Sequence, residues 1–399
     1  MNANEISQIT QWIQTHQTEI DTATNPVADG YISQADIAAL ISRGAPQDTP
    51  ASVSQVATQA SVWTEYLGAV SATQPQTTQG PYLSLNALNS GAGGTATITT
   101  PRTPFMEAAA DPHIYQKDGQ YYFLFTTGDG VWVRSASDLN QLPTAEPKKV
   151  WGWNEEIKGH VWAPEIAQIN GKWYIYASGS LNPDIPDMRM FVLEADTNDP
   201  LGNYSYKGLL SDKQAIDQSV WQDPQTGQLW MTWSQWDPDQ SIFIAKMKSP
   251  TEIDGVPVKI SSPTNAWEGV GQPVNEGPQF LRYGDKMHIV FSASHCATPD
   301  YALATLTADA NANWLDPASW KKSTSHVFSQ NPSVGAYGTG HHSTFQSPDG
   351  QWWLAYHATS NPKGANDASR STRVQPFSFD ANGMPVFGTP NAQDPSTKT

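Results

Sequence analysis

One pattern of residues recurs five times in this 399-residue chain, and it constrains the fold more than any other feature. A glycine, one or two residues and then an aromatic-rich alternating run appear as KDGQYYFLFTT, INGKWYIYAS, QTGQLWMTWS, RYGDKMHIVFSAS and PDGQWWLAYHA. The glycines are Gly119, Gly171, Gly227, Gly284 and Gly350. Their spacing of roughly 50–65 residues leaves room for about four short strands per repeat. Each glycine marks a tight hairpin turn, and the run after it alternates faces as a half-buried strand does. Such a period, filled with strands, is the signature of a β-propeller blade. The expected fold is therefore an all-β five-bladed β-propeller with a small helical N-terminal region. A pair of β-sandwiches would not explain why one pattern recurs five times.

The remaining stretches differ in texture. Residues 1–70 read as helical, because Ile6, Ile9, Trp12 and Ile13 recur at three- and four-residue steps, as do Ile37, Leu40 and Ile41. Between them NPVADGYISQAD, residues 25–36, has the cadence of the second half of an EF-hand loop, with Asp29-Gly30, Ile32 and Asp36. It also resembles half of a dockerin repeat. Its first half is poor, since Asn25 stands at position one and Val27, which cannot ligate, at position three. A plain helix–turn–helix connector is the competing reading. Residues 71–104, rich in Thr, Gly, Gln and Ala, read as a linker or strap. The propeller is expected over 105–390, with 391–399 as a tail.

Acidic residues stand just upstream of four of the five glycines: Asp111 in ADPHIY, Glu165 in HVWAPEI, Asp217 in AIDQSVW and Glu276 in NEGPQF. The fifth repeat carries His341 and His342 in GTGHHSTF. In a propeller, rotation about the central axis relates equivalent positions of the blades. Groups at the start of each inner strand therefore converge on one end of the channel, however distant in sequence. Any one acid could simply cap its hairpin or pair with an arginine. Five in register argue for a site. Crowded carboxylates repel one another and drive at least one pKa toward neutrality. A protonated acid beside an ionised base is what glycoside hydrolysis requires.

Composition narrows the partners. The net charge is −16, from 22 Lys+Arg against 38 Asp+Glu, so a nucleic-acid backbone or an anionic membrane surface would be repelled. No stretch approaches the ~20 apolar residues of a membrane span. The single cysteine, Cys296, allows no internal disulfide and no cysteine-based metal site; it reads as a buried small hydrophobe rather than a nucleophile. Sixteen Trp and 14 Tyr suit a neutral polyhydroxylated ligand whose C–H faces stack on indole, although sheet cores also use such rings. The opening MNANEISQIT lacks the charged-then-apolar pattern of a signal peptide.

Taken in order, ADPHIYQKDGQYYFLFTTG, GHVWAPEIAQINGKWYIYAS, AIDQSVWQDPQTGQLWMTWS, NEGPQFLRYGDKMHIVFSAS and GTGHHSTFQSPDGQWWLAYHA resemble the blade motifs of glycoside hydrolase family 43. The resemblance continues to RSTRVQPFSFDANGMPVFGTP, and the phrases TADANANWLDPASWKKS, NEGPQ and YHATSN are most similar to exo-α-L-arabinofuranosidase members. It implies that Asp111 is the general base, Glu276 the general acid, and Asp217 a third acid that tunes and orients Glu276. It implies inversion in a single displacement, with the working carboxyls roughly 6.5–9.5 Å apart. Arg370 matches an arginine that reaches the sugar, a surface pairing with Asp367 being the alternative. His341 matches an axial histidine near a calcium or sodium ion held largely by water. Trp162 is expected beside the pocket as a stacking platform, and Trp173 and Tyr174 in the blade core. Glu165 is given no catalytic step. His113 could contact substrate or merely line the channel.

The sequence thus points to an inverting hydrolase that releases terminal α-L-arabinofuranosyl units from plant cell-wall arabinan or arabinoxylan. A β-xylosidase, an endo-arabinanase and a sugar-binding propeller without catalysis are the alternatives. No cofactor is required, nucleic acid and membrane are not partners, and the oligomeric state is open. Export or a periplasmic location is suspected for a polysaccharide enzyme.

Overall fold

The computed structural model of the chain describes residues 3–16, 31–32, 34–43, 49–73, 78–79, 82–84 and 101–392. Among the described residues the N-terminal unit has four helices: α1 (Ala3–Thr15), α2 (Gln34–Ser42), α3 (Ala51–Thr58) and α4 (Ala60–Thr73). The residues whose spacing predicted helices close its core, with Ile9, Trp12, Ile13 and Ile37 buried against Val53, Val56, Trp63 and Tyr66. Tyr66 shares a 2.9 Å hydrogen bond with Thr10, and burial pushes its phenol up to about 12. Three short strands accompany the helices: β1 (Tyr31–Ile32), β2 (Thr78–Gln79) and β3 (Tyr82–Ser84). They form an antiparallel sheet in the order β1-β3-β2. The expected linker thus starts as the end of α4 and carries a short hairpin. Most of the EF-hand-like 25–36 segment lies outside the described residues.

From residue 113 the chain lays down five four-stranded antiparallel sheets, each from consecutive strands. Blade one is β4 (His113–Lys117), β5 (Gln120–Leu124), β6 (Gly130–Ala136) and β7 (Lys148–Gly152). Blade two is β8 (Gly159–Ile169), β9 (Lys172–Ser180), β10 (Met188–Ala195) and β11 (Tyr204–Leu209). Blade three is β12 (Ala215–Gln222), β13 (Leu229–Trp236), β14 (Gln240–Ser249) and β15 (Glu252–Ser261). Blade four is β16 (Asn275–Tyr283), β17 (Lys286–Ala293), β18 (Ala302–Asp309) and β19 (Lys321–Lys322). Blade five is β20 (Tyr337–Gln346), β21 (Trp352–Thr359), β22 (Ser371–Phe379) and β23 (Pro385–Val386). The five signature glycines sit in the first hairpins, and all have positive φ, from 55° at Gly284 to 84° at Gly350. A side chain would be strained at each, which is why the turn is written with glycine.

The core is a set of inter-blade seams. Val131, Val161, Trp173 and Phe191 fill the seam between blades one and two. Tyr174, Tyr176, Met231 and Trp233 fill the next. Ile242, Ile289, Phe291 and Trp314 follow between blades three and four, and Leu281, Leu303, Leu354 and Tyr356 between four and five. The ring closes where Phe105, Ile114, Tyr121 and Phe123 meet Phe345, Trp353 and Val374. The backbone completes that closure. Phe105 N–H donates to Thr372 O at 2.8 Å, Thr372 N–H to Met106 O at 2.8 Å, and Ala109 N–H to Arg370 O at 3.1 Å. Burying these aromatics contributes about 2 kcal/mol or more per side chain, so each seam carries a substantial share of the fold.

Candidate active site

A left-handed residue stands at equivalent places at or near the start of every inner strand: Asp111 (φ 57°), Ala163 (43°), Asp217 (60°), Gly277 (55°) and His341 (41°), with a second at His160 (52°) in β8 and at Gly338 (57°) in β20. Four of the five equivalent residues are not glycine, and strain of about 1–3 kcal/mol at such positions marks places where function constrains the backbone. The kink breaks the ladder. Register shifts fall between Trp162 and Glu165, Ile216 and Ser219, and Glu276 and Gln279. Side chains on or beside the kink are thereby turned from the sheet faces toward the axis.

A side chain receives the backbone N–H of each kink. Ala163 N–H donates to Thr126 Oγ1 at 2.8 Å, Asp217 N–H to Ser178 Oγ at 3.0 Å, and His341 N–H to Ser292 Oγ at 2.8 Å. Asp111 N–H donates to His357 Nδ1 at 3.2 Å. In these four the acceptor lies on, or just past, the second strand of the preceding blade. Blade four differs, because Gly277 N–H donates to the carboxyl of Asp217 at 3.0 Å. The third acid therefore holds the backbone of the residue next to Glu276.

Asp111, Asp217, Glu276, His341 and Arg370 come together, as the sequence predicted. Asp111 Oδ2 accepts a 2.6 Å hydrogen bond from Thr126, and its Oδ1 lies 3.4 Å from Arg370, 3.4 Å from His341 Nδ1 and 3.1 Å from His357 Nδ1. Arg370 thus turns inward to Asp111 rather than pairing at the surface with Asp367, whose carboxylate instead receives Ser369 N–H at 2.8 Å. Burial alone would raise the Asp111 carboxyl. The fields of His341 and Arg370 and the His357 contact outweigh it and hold Asp111 well below the usual carboxylate range. Burial lowers both histidines, His357 to about 4, so Arg370 supplies the charge that persists at neutral pH.

The other two acids are pushed the opposite way. Burial, assisted by the charge of Asp111, raises Glu276 to about 7, against the opposing pull of Tyr301, Gln240 and Arg370. Gln240 Nε2 donates to Glu276 Oε2 at 2.6 Å. Asp217 is raised well above its ordinary value by burial and by Glu276 and Asp111. One guanidinium serves three buried carboxyls. Asp111 takes it, and Asp217 and Glu276 cannot both ionise cheaply, so that pair retains a proton near neutrality. The site therefore holds an ionised carboxylate and a protonated carboxyl side by side.

Beneath this layer the inner strands are joined across the axis. Gln279 Nε2 donates to Glu165 Oε1 at 2.7 Å and contacts His113 Nδ1 at 3.3 Å, while Gln279 Oε1 receives Thr344 N–H at 3.3 Å. His113 Nε2 lies 3.1 Å from Ile166 O, which puts the ring proton on Nε2 and leaves Nδ1 to accept. Burial raises Glu165 to about 8 against hydrogen bonds from Gln279 and Ser219, and lowers His113 to about 4. His113 lines the channel in this network.

Trp162 is half-buried, with its ring 6.2 Å from that of His160. Trp173 and Tyr174 fill blade seams as expected. Cys296 is half-buried rather than fully so; its thiol is raised chiefly by burial and donates to Asn366 Oδ1 at 3.5 Å. Among the described residues no group of three or more His, Cys, Asp and Glu side chains is arranged to hold a metal. A hard cation seeks six or more oxygen ligands, and the Asp111, His357 and Ser292 contacts of His341 do not make that set.

Sequence reasoning missed His357, Tyr301, Thr126 and Gln240. Tyr301 and His357 stack at 5.4 Å, and His357 and His341 at 6.1 Å, a file of rings behind the acids. Gly340 makes this possible, since a Cβ there would lie 2.3 Å from the Tyr301 ring. A signal did exist in part: Thr126, Ser178 and Ser292 all stand near the ends of the aromatic runs.

A family model described as Glycosyl hydrolases family 43 matches residues 101–385. The extracellular exo-α-(1→5)-L-arabinofuranosidase of Streptomyces avermitilis is 38% identical over 307 residues, covering 72% of this chain and 63% of that protein. The chain thus spans less than two thirds of that relative's length. The extracellular exo-α-(1→5)-L-arabinofuranosidase of Streptomyces chartreusis is 33% identical over 273 residues, 64% of this chain and 81% of that one. Among solved structures, an α-L-arabinofuranosidase from Lactobacillus brevis superposes with a TM-score of 0.70 at 31% identity, over 74% of this chain and 98% of that one.

Proposed function

The chain belongs to glycosyl hydrolases family 43, and from that premise we propose that it is an inverting glycosidase releasing terminal α-L-arabinofuranosyl residues from arabinan or arabinoxylan oligosaccharides. One arrangement carries the reading: within a single buried cluster Asp111 is held ionised beside Arg370, while the Asp217–Glu276 pair, pushed up by burial, retains a proton near neutrality. In this reading Asp111 takes a proton from the water that attacks the anomeric carbon. Glu276 gives its proton to the glycosidic oxygen, which leaves with the electron pair of the breaking C–O bond. Asp217, bonded to Gly277 N–H, fixes the backbone beside Glu276 and shares with it the proton that the pair retains. Arg370 orients Asp111 and faces the sugar. Trp162 remains the stacking platform suggested by the resemblance.

Support for arabinose comes from the names of the relatives, and the (1→5) linkage in two of them is the one to test first. Both Streptomyces proteins are named extracellular, which favours export and a plant cell-wall substrate. Among the described residues no helix is long and apolar enough to cross a membrane. Hydrolysis by two carboxyls needs no cofactor, and a calcium or sodium near His341 would serve only as a structural charge. The division at about residue 105 into helical region and catalytic propeller belongs to the same reading. Proton NMR of arabinotriose hydrolysis tests it: the first-formed arabinose should carry the inverted anomeric configuration. Retention, or cleavage of a β-D-xylopyranoside in preference to the α-L-arabinofuranoside, would overturn it.

A further inference from the structure

We propose that Trp236 is the stacking platform for the pentose on the leaving-group side of the scissile bond. This rests on the reading of Glu276 as general acid. The acid protonates the departing oxygen, so the sugar attached to that oxygen must lie on the Glu276 side of the site.

Trp236 ends β13, and Gln240, directly opposite it, begins β14. Paired residues project from the same face of a hairpin, with Cβ atoms about 5 Å apart. Gln240 uses that face to reach Glu276 Oε2 at 2.6 Å. The same face of β13 is fixed independently two residues earlier, where Ser234 Oγ donates to Asn275 O of blade four at 2.7 Å. By strand alternation the Trp236 indole projects toward blade four as well, one pleat nearer the rim and beside the acid. The hairpin tip is held in place: Lys259 Nζ lies 2.8 Å from Asp237 O and 3.2 Å from Asp237 Oδ2.

Trp236 is 39% exposed, whereas Trp230 and Trp233 on the same strand are buried. It has no hydrogen-bond or ring partner among the described residues. A large, partly exposed ring at the edge of a polar site matches the apolar C–H face of a pentose. Nothing in the β-sheet needs a tryptophan there, since the core of this blade is closed by Trp233 and Phe243 below it.

The test compares two substrates that share the arabinosyl unit attacked at its anomeric carbon and differ in the leaving group. α-L-Arabinofuranosyl fluoride has no sugar on the leaving side, and (1→5)-linked arabinotriose does. For W236A the ratio of kcat/KM on the triose to that on the fluoride should fall about tenfold or more, mainly through KM, because the stacking surface is lost. W236F should recover part of the ratio. With an active wild-type enzyme, an unchanged ratio, or an equal loss on both substrates, overturns the assignment of Trp236 alone. Wild-type failure on both substrates would overturn the arabinofuranosidase reading and this proposal with it.

Discussion

Replacing Gln240 by leucine should extend activity to higher pH. The Gln240 amide donates to Glu276 Oε2 at 2.6 Å, and a donor of that kind stabilises the carboxylate, the deprotonated form. Without it the carboxylate is less stable and the pKa of Glu276 rises from about 7. Hydrogen bonds to a charged group are worth about 1.5–3 kcal/mol, and one pKa unit corresponds to about 1.4 kcal/mol. Water entering at the rim restores part of the loss, which leaves a shift of about one unit. At pH 8 the protonated fraction of Glu276 would grow from about one tenth to about one half. At pH 5 both enzymes hold the proton, so the variant gains nothing there. Leucine keeps most of the volume and leaves the backbone pairing with Trp236 intact. The measurement is kcat/KM on arabinotriose from pH 4 to 10. An alkaline limb that stays in place or moves to lower pH would refute both the contact's role and the identity of the titrating acid.

E276Q should lower kcat/KM on arabinotriose by about two to four orders of magnitude and on the fluoride far less; equal losses would remove Glu276 from the acid's role. Glu165, raised by burial to about 8 from 4.5, binds a proton in the folded state that the unfolded chain has released. Stability should therefore fall as pH rises through that window and stay lower above it, by about 2–4 kcal/mol. Urea unfolding of E165Q between pH 5 and 9 should show a flatter dependence than wild type, the slope that remains coming from Asp217 and Glu276, and parallel curves would contradict the assignment. In G340A the new methyl meets the Tyr301 ring at 2.3 Å, in a buried stack that cannot yield. Urea unfolding should show a loss of about 1–3 kcal/mol, and turnover should drop as Tyr301 and His357 shift; wild-type values of both would mean the stack is plastic.

The fold was legible because its unit repeats. Five hairpin glycines announce five blades, and rotation then places Asp111, Asp217 and His341 at equivalent kinks without any knowledge of contacts. Glu276 was found by the same register, although its own kink falls on Gly277. What surrounds the acids was less legible. Gln240, Tyr301 and Arg370 come from loop ends whose lengths differ between blades, so no repeat predicts where they reach. His357 occupies a place where other blades use Ser or Thr to receive the kink N–H, and a substitution of that kind breaks the pattern that would have revealed it. Trp236 was invisible for a related reason. On its strand three tryptophans recur at every third residue, separated by Met231-Thr232 and Ser234-Gln235, and only burial separates the one that faces solvent.

Asp111 stands a few residues beyond the segment that pairs with Thr372, and Arg370 stands just before that residue. The counter-charge that keeps the base ionised is therefore supplied by the blade made last, to an acid in the blade made first. During synthesis the nascent chain displays its acids long before the guanidinium leaves the ribosome. Until that final sheet docks, the first blade's acid lacks its counter-charge, and the same step that seals the toroid also completes the site.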